Sequence, residues 1–146
     1  MRVFKFRAWD KYDAEMIYDV IIGKDFLATT RCKHDVYGDI IAVSQNNWEE
    51  RYEIMQFTGL RDKNDREIYE GDILKIYRED IYDNSIEIEK IGKVVFRDGA
   101  FFLEPALEEG WFYILSSELE YWDNEGYEYE VVGNVFEKQE LLKKGR

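Results

Sequence analysis

Residues that usually announce chemistry are scarce in this chain. There is one cysteine, Cys32, one histidine, His34, and one proline, Pro105, among 146 residues. A lone cysteine excludes an intrachain disulfide and fits a reducing cytoplasm. Cys32 and His34 form a Cys-x-His arrangement, but a closed zinc site takes four ligands, commonly Cys and His. A mixed site would have to borrow Asp35 or Asp39. If the segment is extended, Cys32 and His34 share a face, yet no Gly-x-Ser-x-Gly elbow or Gly-rich phosphate loop accompanies them. No metal and no cofactor is expected. Long apolar runs are also missing, the longest being residues 111–115. A signal peptide needs roughly 7–15 apolar residues and a membrane helix about 20, so a protein of the cytoplasm that does not enter the membrane is expected. One proline and ten glycines leave little material for disordered linkers.

Positive charge is the other shortage. The formal net charge is −12, and residues 104–137 hold ten acids without a Lys or Arg. Nucleic-acid binders need cations to displace counterions from phosphates, so direct contact with DNA or RNA is not expected. The plain reading of the acids is a solvated face. The sharper one is a surface that imitates phosphate charge and occupies the groove of a cationic DNA-binding protein. Paired carboxylates such as Asp62/Asp65, Glu67/Glu70/Asp72, Glu108/Glu109 and Glu128/Glu130 would suit a hydrolase or a magnesium site, which needs two acids at a set separation. With 32 acids in the chain, some pair meets that distance by chance.

Aromatics, in contrast, are plentiful. Eleven Tyr, nine Phe and four Trp make 16% of the chain, so rings with polar edges carry much of the packing. Apolar residues alternate with polar ones at a period of two in residues 3–9, 86–89 and 127–131, which reads as half-buried strands. Residues 16–22 return as a partner strand to 3–9, and further strands are expected at 40–43, 52–58, 73–77, 93–97, 100–104, 111–115 and 127–136. Residues 25–28 could open a helical turn, although Thr29 and Thr30 favour extended chain. Asp98-Gly99 between alternating apolar residues is the strongest hairpin signal present. Gly59, Gly71 with Asp72, and Gly133 mark further turns or a bulge. Residues 138–144 make a short C-terminal helix. About ten short strands with turns every 8–12 residues describe a mainly β protein built of antiparallel strands. The spacing over residues 60–137 suggests an SH3-like barrel, with residues 1–59 as a smaller β-rich subdomain and 60–146 as the barrel subdomain, together one compact unit.

The residues from Gln56 to Leu74 organise the rest. Asp62-Lys63-Asn64-Asp65 is a polar turn, Ile68-Tyr69 a short extended segment and Glu70-Gly71-Asp72 a second turn. The run Phe57-Thr58-Gly59-Leu60, then Asp62-Lys63-Asn64, then Glu67-Ile68-Tyr69-Glu70-Gly71-Asp72-Ile73 resembles the central signature of the YopX family of phage and prophage proteins. Lys5-Phe6-Arg7-Ala8-Trp9-Asp10 with Met16 resembles that family's N-terminal motif, and Gly92-Lys93-Val94-Val95-Phe96 and Val131-Val132-Gly133-Asn134-Val135-Phe136-Glu137 resemble its later blocks. The resemblance implies a phage-encoded, β-rich accessory protein in a bacterial host, self-associating into symmetric oligomers. It carries over no catalytic residues. The aromatic-acidic mixture of the last third supplies the candidate contact residues. Trp111, Phe112, Tyr121, Trp122, Tyr127 and Tyr129 are of the types that dominate protein interfaces, although part of them must serve the core. The expected role is therefore a non-enzymatic module that binds itself and an unidentified protein.

Overall fold

The computed structural model describes residues 3–29, 41–45, 47–80, 82–106, 113–114 and 125–144. The chain folds as two compact units, Met1–Phe57 and Thr58–Arg146.

In the first unit, β1 (Phe6–Asp10) pairs antiparallel with β2 (Glu15–Ile17) on one side and with β6 (Tyr52–Arg61) on the other. A second sheet has the order β3 (Val20–Ile22), β4 (Phe26–Thr29), β5 (Ile41–Gln45). The expected single strand over 16–22 is thus two strands in two sheets. Asp19 between them sits at φ 54, in the left-handed region, which turns the chain out of β1's ladder. Residues 26–29 are extended rather than helical, as the β-branched Thr29 and the partner strands on both sides favour. A 3-10 turn at Trp48–Glu50 precedes β6. Ala8, Val20, Leu27 and Tyr52 form the buried core, with Phe6, Ile17, Ile22, Trp48 and Ile54 packed on it.

The second unit holds a five-stranded antiparallel sheet that curls into a half-barrel. Its order is β11 (Tyr113–Ile114), β10 (Ala100–Pro105), β9 (Ile86–Arg97), β8 (Asp72–Asp80), β12 (Glu125–Asn134). The short β7 (Glu67–Tyr69) pairs with the end of β6. Strands expected at 86–89 and 93–97 are one twelve-residue strand, β9. Its register with β8 shifts once, between Ile76 and Tyr77, so a bulge and not a turn absorbs the irregularity. Arg97 opposes Ala100 across the Asp98-Gly99 hairpin. Both turn residues have positive φ, 50 and 80, the backbone of a type I′ turn. Gly133 lies where β12 shifts register against β8. Ile68, Leu74, Ile76, Val94, Leu103 and Tyr129 make the buried core under Leu60, Phe101 and Val131. One short helix, α1 (Glu140–Lys144), ends the described chain. The fold is mainly β and antiparallel. Among the described residues no helix is long and apolar enough to cross a membrane.

Candidate functional site

Two of the carboxylates that the sequence sets around the central signature, Asp62 and Asp72, are held by backbone. Asp62 is buried. Its Oδ1 accepts the N–H groups of Asn64 at 2.8 Å and Arg66 at 2.9 Å, and its Oδ2 accepts that of Val131 at 2.9 Å. The N–H of Lys63 adds a bond to the Tyr129 carbonyl at 2.8 Å. One turn is thereby laced along the outer edge of β12, an edge that would otherwise present bare donors and acceptors. Lys63 Nζ, 3.1 Å from Glu130 and 4.2 Å from the centre of the Tyr77 ring, reinforces the lacing. Burial first, and the Glu130 carboxylate second, push the Tyr77 hydroxyl above its ordinary pKa.

The Glu70-Gly71-Asp72 corner is built the same way. Asp72 Oδ2 accepts the Tyr69 N–H at 2.8 Å. Gly71, at φ 80, donates to the Val94 carbonyl at 2.9 Å and accepts from Val135 N–H at 2.8 Å. Gly59 also takes positive φ, 88, inside β6. Carboxylates already saturated by amides are poor general acids or metal ligands, because each lone pair in use must first be released.

A second cluster lies in the first unit, around the turn that follows β1. Asp10 is 2% exposed. Arg51 grips it with Nε at 2.9 Å from Oδ1 and an Nη at 2.7 Å from Oδ2, and the same Nη reaches Asp13 at 3.0 Å. The N–H groups of Tyr12 and Asp13 donate to Asp10 Oδ1 at 2.9 and 3.2 Å. The guanidinium lies 5.1 Å from the centre of the Tyr12 ring and 5.2 Å from that of Tyr52. Hydrogen bonds from Arg51, aided by the two amides, outweigh burial and hold Asp10 below the usual carboxylate range. Burial, then the nearby Asp10 charge, raises the Tyr52 hydroxyl, whose buried oxygen has no hydrogen-bond partner among the described residues. Asp10, Asp13 and Glu15 stand close enough to hold a cation. Asp10 and Asp13 hold the Arg51 guanidinium. The legible signal was the period: Phe6, Ala8 and Asp10 share one face, and an acid that continues a buried face requires a partner charge.

Of the six aromatic contact candidates, Tyr129 is 8% exposed and belongs to the second unit's core. Its position on β12 turns the ring into the cluster that also holds Leu74 and Val94. Tyr127 lies two residues earlier on the same strand. Trp111, Phe112, Tyr121 and Trp122 lie outside the described residues, as do Cys32, His34, Asp35, Asp39, Glu108 and Glu109. Large apolar side chains that are exposed gather elsewhere. Val3, Phe4, Tyr12, Tyr18, Ile21 and Phe26 belong to the first unit, and Tyr82, Ile86 and Phe96 to the second. The second unit also has a cavity of about 490 Å³ between β9 and the C-terminal segment, lined by Val95, Val135, Phe136 and Leu142 with Lys93 and Gln139. Lys93 is engaged by Glu104 at 3.2 Å.

The family model described as YopX protein matches residues 5–143. The chain belongs to the YopX family. Among solved structures it is similar to one described as the crystal structure of protein EF1440 from Enterococcus faecalis. The two are 32% identical, the match covers 97% of this chain and 99% of that one, and the TM-score is 0.60. No match was found among curated proteins. The motifs of this YopX chain map onto its structural corners: the central signature is the Asp62 and Gly71 turns, the N-terminal motif is β1 ending at Asp10, and the last block is the Gly133 bulge with the turn after β12.

Proposed function

We propose that this YopX-family chain is a non-enzymatic, phage-type accessory module that associates with itself and binds another protein in the cytoplasm of a bacterial host. The observation that carries the reading is the unequal distribution of exposed apolar side chains. Six of the nine large ones in the described residues lie in Met1–Phe57, the smaller unit. Large exposed apolar surface marks contact sites more often than chance. The buried acids support the same reading, since Asp10, Asp62 and Asp72 are committed to an arginine or to amides and are not poised for proton transfer. Light scattering coupled to size exclusion at micromolar concentration tests it. The expected result is a mass of at least twice 17.6 kDa; a strict monomer removes self-association from the reading.

The second unit, residues 58–146, carries 12 basic and 22 acidic side chains (net −10). That charge favours a second reading, in which the acidic surface fills a cationic groove on a DNA-binding protein. Such a complex weakens steeply with salt, because exposed charges are screened over about 8 Å at physiological ionic strength. An affinity unchanged between 50 and 500 mM salt, both chosen as rough brackets of the screening range, excludes it.

A further inference from the structure

The hairpin of β3 and β4 is apolar on both faces. Val20, Ile22 and Leu27 point into the core of the first unit. Register places Ile21 opposite Ala28, with Phe26 two residues along on the same side, so these three share the other face. On that face Ile21 is 42% and Phe26 44% exposed, while the small Ala28 is buried. The Phe26 ring lies over Gly23, where even a Cβ would strike it, and the Gly23 N–H donates to the Phe26 carbonyl at 2.9 Å. The ring is therefore seated on backbone and held in place on the outside. An antiparallel sheet that leaves one face in water commonly keeps that face polar, and this hairpin does not.

Charge decides what covers this one. Residues 1–57 hold 8 basic and 10 acidic side chains (net −2), in contrast to the −10 of residues 58–146. Two copies carrying −12 each repel everywhere except where charge is balanced. At the hairpin tip, directly beside the apolar face, Lys24 and Asp25 are adjacent and exposed. Neither has an ion-pair partner among the described residues. An adjacent plus and minus beside an apolar centre is self-complementary. In a two-fold contact, Lys24 of each copy meets Asp25 of the other, because such an interface pairs residue i with j and j with i.

We infer that the Ile21/Phe26 face of the β3–β4 hairpin, rimmed by Lys24 and Asp25, is a two-fold contact with a second copy of this chain. The inference rests on the self-association proposed above and assigns its surface. The test uses the full chain and sedimentation-equilibrium measurement of the self-dissociation constant, with circular dichroism to confirm folding. Lys24→Asp alone and Asp25→Lys alone place like charges across the axis. Each is expected to weaken self-association about tenfold, and the double exchange should return it to within about threefold of the parent. Phe26→Glu, which buries a carboxylate at the centre, should weaken it by about a hundredfold or more. Should Phe26→Glu fail to fold, the two exposed tip residues still decide the matter. A parent chain that assembles while all three single variants assemble equally well overturns this surface and leaves the broader reading standing. Single variants that weaken without recovery in the double exchange overturn the reciprocal pairing on which the two-fold contact depends. A parent chain that is monomeric overturns the broader reading, and this one with it.

Discussion

Asp10 in the first unit and Asp62 in the second are both buried and both stand where a strand gives way to a turn, yet they are satisfied by different chemistry. Asp62 takes three backbone N–H groups, one of them from Val131, 69 residues away. Asp10 takes two amides from its own turn and a bidentate guanidinium from Arg51. The second unit therefore fixes its corner with donors that the chain path itself places. The first fixes its corner with a paired charge, which depends on one side chain and on ionisation. The same contrast runs through their surfaces, for the second unit carries most of the acids and, among the described residues, the first carries most of the large exposed apolar side chains.

The comparison breaks most readily at Asp62. Asp62→Ala leaves three N–H groups without their acceptor, and at roughly 1 kcal/mol for each such loss the second unit should be destabilised by about 3 kcal/mol in urea unfolding. Amide exchange should accelerate at Val131, Asn64 and Arg66, while the protection of β1 and β2 is unchanged. Equal acceleration in both units would show that the corner is not local to its unit.

Asp10→Asn should have the next largest effect. Arg51 remains one-third exposed, so the loss is set at about 2 kcal/mol, below the roughly 3–5 kcal/mol of a fully buried pair. The pH dependence has a definite sign. The folded pKa of Asp10 lies below the ordinary carboxylate value of 3.8, so the unfolded chain takes up the proton first. The pair's stabilisation is fully present well above pH 3.8 and is lost as pH falls from there through the folded pKa. Urea midpoints measured from pH 6 to pH 2 should fall less steeply for Asp10→Asn than for the parent. Parallel curves would mean that Arg51 contributes nothing selective to the ionised form.

Much of this contrast was legible in the sequence, and the part that was not has a physical cause. Period-two alternation exposed β1 and β12, and Asp98-Gly99 gave its hairpin, because both signals act between near neighbours. Asp62 could be read as a turn residue from its neighbours, but its bond to Val131 depends on a strand that arrives 69 residues later. Asp10 carried a readable warning, an acid in step with Phe6 and Ala8, and what was missing was the partner 41 residues away. Tyr129 shows how far alternation reaches: the period of two over 127–131 sets its ring opposite the glutamates, and the register of β12 against β8 places that ring in the second unit's core. Residues 16–22 looked continuous because apolar residues flank Asp19 on both sides, and its left-handed φ is invisible to hydropathy.

The smallest predicted effect compares a glycine at a left-handed position in one unit with an alanine at one in the other. Among the described residues, the glycines with positive φ, Gly59, Gly71 and Gly99, lie in the second unit beside Asp65, Asn84 and Asp98, whereas the left-handed positions in the first are Ala14, Asp19 and Asn47. An L residue with a Cβ costs about 1–2 kcal/mol there, an amount that Asp and Asn partly recover through local hydrogen bonds and alanine does not. Ala14 sits at φ 53 in the exposed turn after Asp10. Gly99 sits at φ 80 in a turn where a Cβ would meet no atom, so strain alone would act on a substitution. Gly99→Ala should therefore destabilise the chain by about 1 kcal/mol. Ala14→Gly should stabilise it by about 0.5 kcal/mol, the relief of strain exceeding the extra backbone entropy of glycine. Paired thermal melts of the two variants against the parent read both signs at once. If Ala14→Gly also lowers the melting temperature, the turn beside Asp10 is held by the Arg51 grip so firmly that the left-handed residue carries no recoverable strain.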